Sequence, residues 1–225
     1  QRAEVGASGW GWSADYHDWA VGLPRDADGA YYVALPCQQD ERPHSAARLR
    51  GTALRLVPRQ PTDDDPRRYR IEPICSGLRF PMGLARDARG RLFATDNQGN
   101  YNPFNELNHL QPGRHYGFIN RLAQHLPRPP LETAAIEIPH PWTRSVNGVC
   151  FLYTPPTAAG FGAFEGHLVG CEYDTRRLIR MSLQEVQGVV QGAAYPFSLD
   201  PPPDAGLEGP VACAVSPQGE LYVGN

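Results

Sequence analysis

The segment Gly83-Leu-Ala-Arg-Asp-Ala-Arg-Gly90-Arg-Leu-Phe-Ala-Thr-Asp96 decides the fold class, because its pattern predicts a strand, a polar turn and a second strand. The same plan appears in Gly22-Leu-Pro-Arg-Asp-Ala-Asp-Gly29-Ala-Tyr-Tyr-Val-Ala-Leu35 and in Cys213-Ala-Val-Ser-Pro-Gln-Gly219-Glu-Leu-Tyr-Val-Gly-Asn225. The polar residues before each glycine supply turn chemistry, and the aliphatic and aromatic run after it favours a strand. This self-similarity predicts a repeat architecture built from antiparallel strands.

A weaker fourth copy consists of the strand-like runs 149–153, 166–173 and 177–183, with a Gly/Pro-rich excursion after the first run and a turn glycine at Gly166. The turn glycines are then 61, 76 and 53 residues apart, which fits propeller repeats with loop insertions and is too irregular for a solenoid. We therefore predict an all-β chain, a β-propeller expected to be of the six-bladed type, with about four blades in a single domain over residues 1–225. The chain ends inside a strand-like run, so we expect a fragment of a longer protein.

Helical signal is thin, because 23 Gly and 23 Pro interrupt the chain and no stretch sustains a 3.6-residue apolar period. One short helical turn is predicted over 182–186.

Composition limits the function classes. The net charge is −3 and there is no Lys, so the sequence offers no cationic excess for nucleic acid or an anionic membrane, and no Schiff-base lysine. No apolar run approaches the length of a transmembrane helix. The five cysteines lack C-x-x-C spacing, which excludes a zinc ribbon or attached haem within this segment. Cys150, Cys171 and Cys213 lie in apolar runs and are expected to be buried thiols.

A first polar cluster, Asp15-Tyr16-His17-Asp18-Trp19, precedes the first repeat. Neighbouring carboxylates stabilise an imidazolium, so His17 is a candidate general base; an ordinary surface histidine is the alternative.

A second cluster runs from Asp96-Asn97-Gln98-Gly99-Asn100-Tyr101-Asn102 to Asn105-Glu106-Leu107-Asn108-His109. Its carboxylate and amide oxygens suit Ca²⁺ or the hydroxyls of a sugar. Capping of Asn-rich turns is the alternative.

Two arginines form a third set, since Arg79 and Arg144 each stand directly before a predicted strand. They could converge on the carboxylates of an anionic cofactor, whereas rim salt bridges are the alternative. Motifs for serine hydrolases, zincins and phosphate-binding loops do not occur in the sequence.

The run from Ser76-Gly-Leu-Arg-Phe-Pro-Met-Gly-Leu84 through Asp96-Asn-Gln-Gly99 to Glu106-Leu-Asn-His-Leu110 and Gly113-Arg-His-Tyr-Gly117 resembles the glucose/sorbosone dehydrogenase family of soluble quinoproteins. It is most similar to planctomycete-type propeller domains of large haem-containing proteins. The family's Asn after G-L-R is Phe80 here, and the family's cofactor-contacting Lys is absent.

The resemblance implies a sugar or aldehyde dehydrogenase that passes hydride to pyrroloquinoline quinone (PQQ) held with Ca²⁺. His17 would be the base, Arg79 and Arg144 would bind the cofactor, and Asp96 and Asn100 would bind the metal. Substrate contacts would come from Asn97, Gln98 and Asn147. A periplasmic or secreted location and a haem or cytochrome module in the full-length chain are also expected. Two alternatives stay open: a non-catalytic carbohydrate-binding or interaction propeller, and a calcium-dependent lactonase-like propeller.

Overall fold

The computed structural model describes residues 3–12, 14, 17–37, 47–62, 64–99, 102–119, 127, 129–198 and 207–225. Within these residues, thirteen strands form four sheets that are predominantly antiparallel. Neighbours in each sheet follow chain order, so each sheet is a meander. Sheets of this kind are the blades of a propeller. The chain is therefore all-β and forms part of a β-propeller, as the repeats predict.

The strand bounds follow the predicted repeats. The three-stranded sheet contains β1 (Tyr31–Leu35), β2 (Thr52–Pro58) and β3 (Tyr69–Ser76). The next sheet contains β4 (Pro81–Arg86), β5 (Leu92–Asp96), β6 (Phe104–Leu110) and β7 (Ile136–Pro139). The third contains β8 (Val146–Phe151), β9 (Leu168–Glu172), β10 (Arg177–Val186) and β11 (Val189–Pro196). The last is the hairpin of β12 (Ala212–Val215) and β13 (Leu221–Gly224).

The repeated turn has the same backbone in all three strong copies. Gly29, Gly90 and Gly219 have φ values of 83°, 83° and 82°, in the left-handed region that only glycine adopts readily. In each turn the residue three positions earlier accepts from the glycine N–H and donates its own N–H to the residue after the glycine. The turn prediction is confirmed at these three positions.

The fourth copy forms strands without reproducing that turn. Gly166 has a φ of 75°, but its N–H donates to Leu152 O, and a 3-10 helix at Gly162–Phe164 precedes it. The helical turn predicted over 182–186 is wrong, because β10 continues through it. Leu183 pairs with Gly192 of β11, and this cross-strand ladder overrides the weak local helical pattern.

The chain divides into two compact units, which are described separately. Unit 1 contains Gln1–Pro81 and Leu110–Glu132, and unit 2 contains Met82–His109 and Thr133–Asn225. In unit 1, alternate residues of β1 and β2 pack into an apolar cluster with rings from the N-terminal segment and β3. Its members include Val33, Leu35, Leu54, Leu56, Trp10 and Tyr69.

In unit 2, the sheet β8–β11 is covered on both faces. Val149 and Phe151 pack with Phe93 and Leu107 on one side, whereas Leu152 and Val169 pack with the β12–β13 hairpin on the other. The period of two along each strand separates the two sets. This stacking of consecutive sheets is how propeller blades bury their faces.

The first strands of two blades in unit 2 touch directly. A Cβ on Gly83 of β4 would stand 2.3 Å from Asn147 O of β8, so only glycine fits there. Buried Thr95 links the two blades, because its hydroxyl donates to Val146 O and accepts from Gly83 N, both at 2.8 Å. These contacts fix the end of β5, where the second polar cluster begins. None of the helices among the described residues is long and apolar enough to cross a membrane.

Candidate functional site

A chain of neutral polar groups joins two loops at one end of unit 2. The side-chain amide of Asn97, just after β5, donates to Ser145 Oγ at 3.1 Å. Ser145 Oγ in turn donates to Oδ1 of Asn147, at the start of β8, at 3.2 Å. Asn97 and Asn147 are both buried, and Asn97 Oδ1 is a buried acceptor with no hydrogen-bond partner in the described structure. Such an orphaned acceptor is what a bound hydroxyl group would satisfy.

The loop after β5 is anchored by asparagines, so the turn-capping interpretation also applies to part of the cluster. Gln98 N donates to Asn105 Oδ1, and Phe104 N donates to Asn102 Oδ1, both at 2.9 Å. The Asn105 amide reaches the hydroxyl of Thr143 at 2.9 Å, which ties this loop to the one before β8. Asn102 and Asn105 therefore act as capping residues, whereas the side-chain oxygen of Asn97 has no hydrogen-bond partner among the described residues.

Gln98 lies beside an imidazole that the sequence analysis did not single out. Its amide nitrogen is 3.4 Å from Nε2 of His140, in the loop after β7. The other ring nitrogen, Nδ1, is buried without a hydrogen-bond partner in the described part of the chain. The His140 side chain thus lies at the same end of unit 2 as the Asn97 chain.

Glu172 supports the loop that carries Ser145. This carboxylate, at the end of β9, is completely buried and accepts from Arg144 N at 2.8 Å and Ser145 N at 3.0 Å. Its second oxygen accepts from the backbone N–H of Thr175 at 2.5 Å and from the Thr175 hydroxyl. Through these four donors Glu172 ties the loop before β8 to the turn after β9. Sequence reasoning missed this role, since the acid lies 28 residues from Arg144 and in no motif.

Arg144 itself points its charge outward. Its side chain is exposed, and it forms no ion pair within the part of the chain that the structure describes. Arg79 lies in unit 1, where it is half-buried and its carbonyl oxygen accepts from Cys37 N at 2.7 Å. The two arginines therefore belong to different units, and a common contact with one cofactor stays a prediction.

Only one of the two predicted metal ligands lies among the described residues. Asp96, the last residue of β5, is buried, and Asn100 lies outside the described residues. In the described ranges, no group of three or more His, Cys, Asp or Glu side chains could hold a metal ion. A Ca²⁺ site thus remains an expectation from the resemblance.

Glu106, in the β4–β7 blade, has a pKa well above the usual value for a glutamate. Burial raises the pKa of Glu106 in β6 to about 7, and repulsion by Glu137 adds to the effect. Hydrogen bonds donated by Asn108, at 3.0 Å, and by Asn102 oppose this shift. Glu106 therefore changes charge near neutral pH.

In unit 1, His17 lies in an aromatic setting. Its ring meets Phe80 edge-on at a centroid distance of 5.4 Å and Trp19 at 6.4 Å. The next residue, Asp18, forms a buried ion pair with Arg50 at 3.5 Å. Arg50 also donates to Trp19 O at 3.0 Å and Pro36 O at 2.8 Å, so it fixes the segment that follows His17. Sequence reasoning missed this positioning arginine too.

Unit 1 also contains a largely apolar cavity of about 250 Å³. His115 lies on its wall, and burial lowers the pKa of this imidazole, which accepts from Gly117 N at Nδ1. His115 is therefore favoured in its neutral form. The cavity is lined by Cys37, Arg50, Gly51, Ser76, Gly77, His115, Phe118, Ile119, Pro127 and Pro129.

The fold and the polar array define a partial propeller with a hydrogen-bonding site at the strand ends of a blade. No protein-family model and no curated protein matches the sequence. Solved structures do match. A putative oxidoreductase (glucose dehydrogenase) from Thermus thermophilus has a TM-score of 0.63 and 22% identity, covering 95% of this chain and 62% of that one.

Two further structures are similar. The PQQ-bound aldose sugar dehydrogenase of Streptomyces coelicolor gives a TM-score of 0.58 at 19% identity, covering 91% of this chain and 55% of its own. The apo-form soluble aldose sugar dehydrogenase of Escherichia coli gives 0.56 at 20% identity, covering 87% and 57%. This chain spans about three fifths of the length of such proteins. At these identities the likeness establishes the propeller fold.

Proposed function

We propose that the chain is part of a quinoprotein-type propeller that oxidises a sugar hydroxyl or aldehyde by hydride transfer to PQQ. The observation that carries the proposal is the Asn97–Ser145–Asn147 chain with its unpartnered buried oxygen, together with the exposed Arg144, which directly precedes Ser145 in the sequence. Neutral donors and acceptors suit sugar hydroxyls, and a guanidinium suits a carboxylate. Sugar dehydrogenases, one of them PQQ-bound, are among the structures that share the fold.

The described residues fit the quinone better than the metal. PQQ carries carboxylates, and Arg144 offers an exposed guanidinium without a carboxylate partner in the described chain. When bound, PQQ would supply a two-electron acceptor for the hydride. The described residues alone do not assemble a Ca²⁺ site, so no step is assigned to a metal.

The roles of the protein groups follow from their chemistry. Asn97 Oδ1 would accept a hydrogen bond from a substrate hydroxyl, with Ser145 and Asn147 holding the Asn97 amide in orientation. Glu172 would keep Arg144 and Ser145 in register through their backbone N–H groups. His17 would take the hydroxyl proton as a general base, as the family resemblance implies.

Three associated expectations belong to the same proposal. The substrate would be a small sugar or aldehyde, the site would act in the periplasm or outside the cell, and a haem module elsewhere in the full-length chain would take the electrons. Each rests on the resemblance.

Titration of the full-length protein with PQQ, followed by absorbance, tests the proposal. We expect binding in wild type, a dissociation constant raised about tenfold or more in Arg144→Ala, and little change in Arg89→Ala. Arg89 is a matched control, because it is exposed and lies in the turn at the opposite end of β5. Equal binding by wild type and Arg144→Ala would remove Arg144 from the site.

The neutral character of the Asn97 chain also supports a second function, non-catalytic carbohydrate binding. The Asn97 chain is neutral, which suits a carbohydrate-binding propeller without catalysis as well as an enzyme. Absence of PQQ binding together with saturable binding to a glycan array, lost in Asn97→Ala, would favour that alternative.

A further inference from the structure

Two neighbouring strands of unit 2 turn cysteines toward the same apolar face. Cys150 of β8 pairs with Val169 of β9, and Cys171 follows Val169 by two residues. Because side chains alternate along a strand, Cys150, Val169 and Cys171 share one face of the sheet. The hairpin β12–β13 covers that face and contributes Cys213.

The backbone of the β12–β13 hairpin lies in direct contact with the backbone of β8. Gly148 N donates to Val211 O at 2.9 Å, and a Cβ on Gly148 would lie 2.7 Å from the Cα of Ala212. Cys150 stands two residues after Gly148, and Cys213 stands two residues after Val211. Disulfides need Cα atoms about 4.4–6.8 Å apart, which only such close backbone approach permits between separate sheets.

The three thiols meet at Cys213. Its Sγ lies 3.6 Å from Gly148 O and 3.7 Å from Val169 O, and interaction with the thiols of Cys150 and Cys171 raises its pKa. All five cysteines of the chain are free thiols in the structure.

Accessibility distinguishes among the three. Cys150 and Cys213 are half-buried, whereas Cys171 has no exposed surface. An oxidant from solution can therefore reach the first two thiols more readily than the third. Interaction with the Cys213 thiol lowers the pKa of Cys150, which favours Cys150 as the attacking thiolate.

We propose that Cys150 and Cys213 form a disulfide that joins the β12–β13 hairpin to the β8–β11 sheet. The oxidant is an external disulfide, such as oxidised glutathione or a thiol–disulfide oxidoreductase. The Cys150 thiolate attacks it, forms a mixed disulfide and releases one external thiolate. Cys213, after losing its proton, attacks the Cys150 sulfur and releases the second, so the external disulfide is reduced by two electrons and the two protein protons leave with its thiols.

The hairpin gains most from this bond. A two-stranded sheet is marginally stable by itself, and the less exposed residues of β12 and β13 pack against the face that carries Val169 and Cys171. The covalent link would close a loop of more than sixty residues in the unfolded chain, which raises its free energy relative to the folded state.

Equilibration of the full chain with oxidised or reduced glutathione, followed by alkylation under denaturing conditions and mass spectrometry, tests the proposal. Oxidation should lower the count of alkylated thiols from five to three, with Cys37, Cys75 and Cys171 still modified, and peptide mapping should find the Cys150–Cys213 cross-link. The melting temperature should rise by roughly 5–10 °C and fall again on reduction.

Variants separate the bridge from general effects on folding. Cys171→Ala should still form the cross-link, whereas Cys150→Ser and Cys213→Ser should lose both the cross-link and the redox-dependent melting shift. Circular dichroism of each reduced variant checks that the fold persists. Five thiols retained in oxidised glutathione, or a bridge that includes Cys171, would overturn the proposal.

Discussion

The side-chain amide of Asn97 and the hydroxyl of Ser145 are joined by a hydrogen bond of 3.1 Å across 48 residues of sequence. This bond links the loop after β5 to the loop before β8, and the Ser145 hydroxyl in turn donates a hydrogen bond to Asn147 Oδ1. Two motifs that are separate in the sequence thereby become one site.

Replacement of Ser145 by Ala tests the link directly. The Asn97 amide loses its acceptor in a buried setting, so we expect the free energy of unfolding to fall by about 1–2 kcal/mol. Urea denaturation measures the change. Thr157→Ala, at an exposed site, is the control and should alter stability by less than about 0.5 kcal/mol. Equal stability of both variants would mean that the Asn97–Ser145 bond contributes nothing net.

Glu172→Gln should be more damaging. The amide nitrogen of Gln cannot accept a hydrogen bond, so two of the four donors around this position lose their partner. We expect a loss of about 2–4 kcal/mol in the free energy of unfolding, measured by urea denaturation. Glu185→Gln, at an exposed strand position, is the control. A loss below about 1 kcal/mol would contradict the supporting role assigned to Glu172.

Glu106 should make stability depend on pH. Burial raises the folded-state pKa of Glu106 to about 7, above its ordinary value of 4.5, so the acid binds its proton more tightly in the folded state. Its contribution is therefore fully present below about pH 4.5 and lost as pH rises through about 7. By linkage this loss is on the order of 3 kcal/mol.

Comparison with Glu106→Gln isolates that effect, because the amide stays neutral at every pH. We expect the difference in free energy of unfolding between variant and wild type to increase in favour of the variant between pH 4.5 and about 8. Parallel stability profiles for the two proteins would show that Glu106 titrates normally.

Gly90→Ala tests the repeated turn. Alanine at a φ of 83° costs about 1–2 kcal/mol, because its Cβ crowds the backbone in the left-handed region. Thermal and urea unfolding measure the loss. Gly160→Ala is the control, since that glycine is exposed and its Cβ would make only ordinary contacts, the nearest at 3.4 Å. Equal effects at the two positions would contradict a conformational role for Gly90.

The sequence predicts the fold well because the decisive signals are local. The turns at Gly29, Gly90 and Gly219 depend on a few adjacent residues, and the strand after each follows from a run of aliphatic and aromatic residues. The error at 182–186 has the opposite origin, because its conformation is set by pairing with β11. A local pattern contains no information about that partner.

The candidate site could be predicted only in part for the same reason. Asn97 and Asn147 stand out as polar residues at strand ends, but their connection through Ser145 exists only in three dimensions. Glu172 and Arg50 act through backbone groups distant in sequence, and neither belongs to a motif. The catalytic assignment of His17 stays a prediction.

The equivalence of the three Asp/Ser-x-x-Gly turns makes them interchangeable parts. Asp26, Asp87 and Ser216 each begin a turn with the same hydrogen bonds. A four-residue turn moved from one blade to another should therefore find the same backbone conformation and hydrogen-bond partners as in its original position. The propeller could then be engineered by module exchange, with a loop selected in one blade transferred to its counterparts.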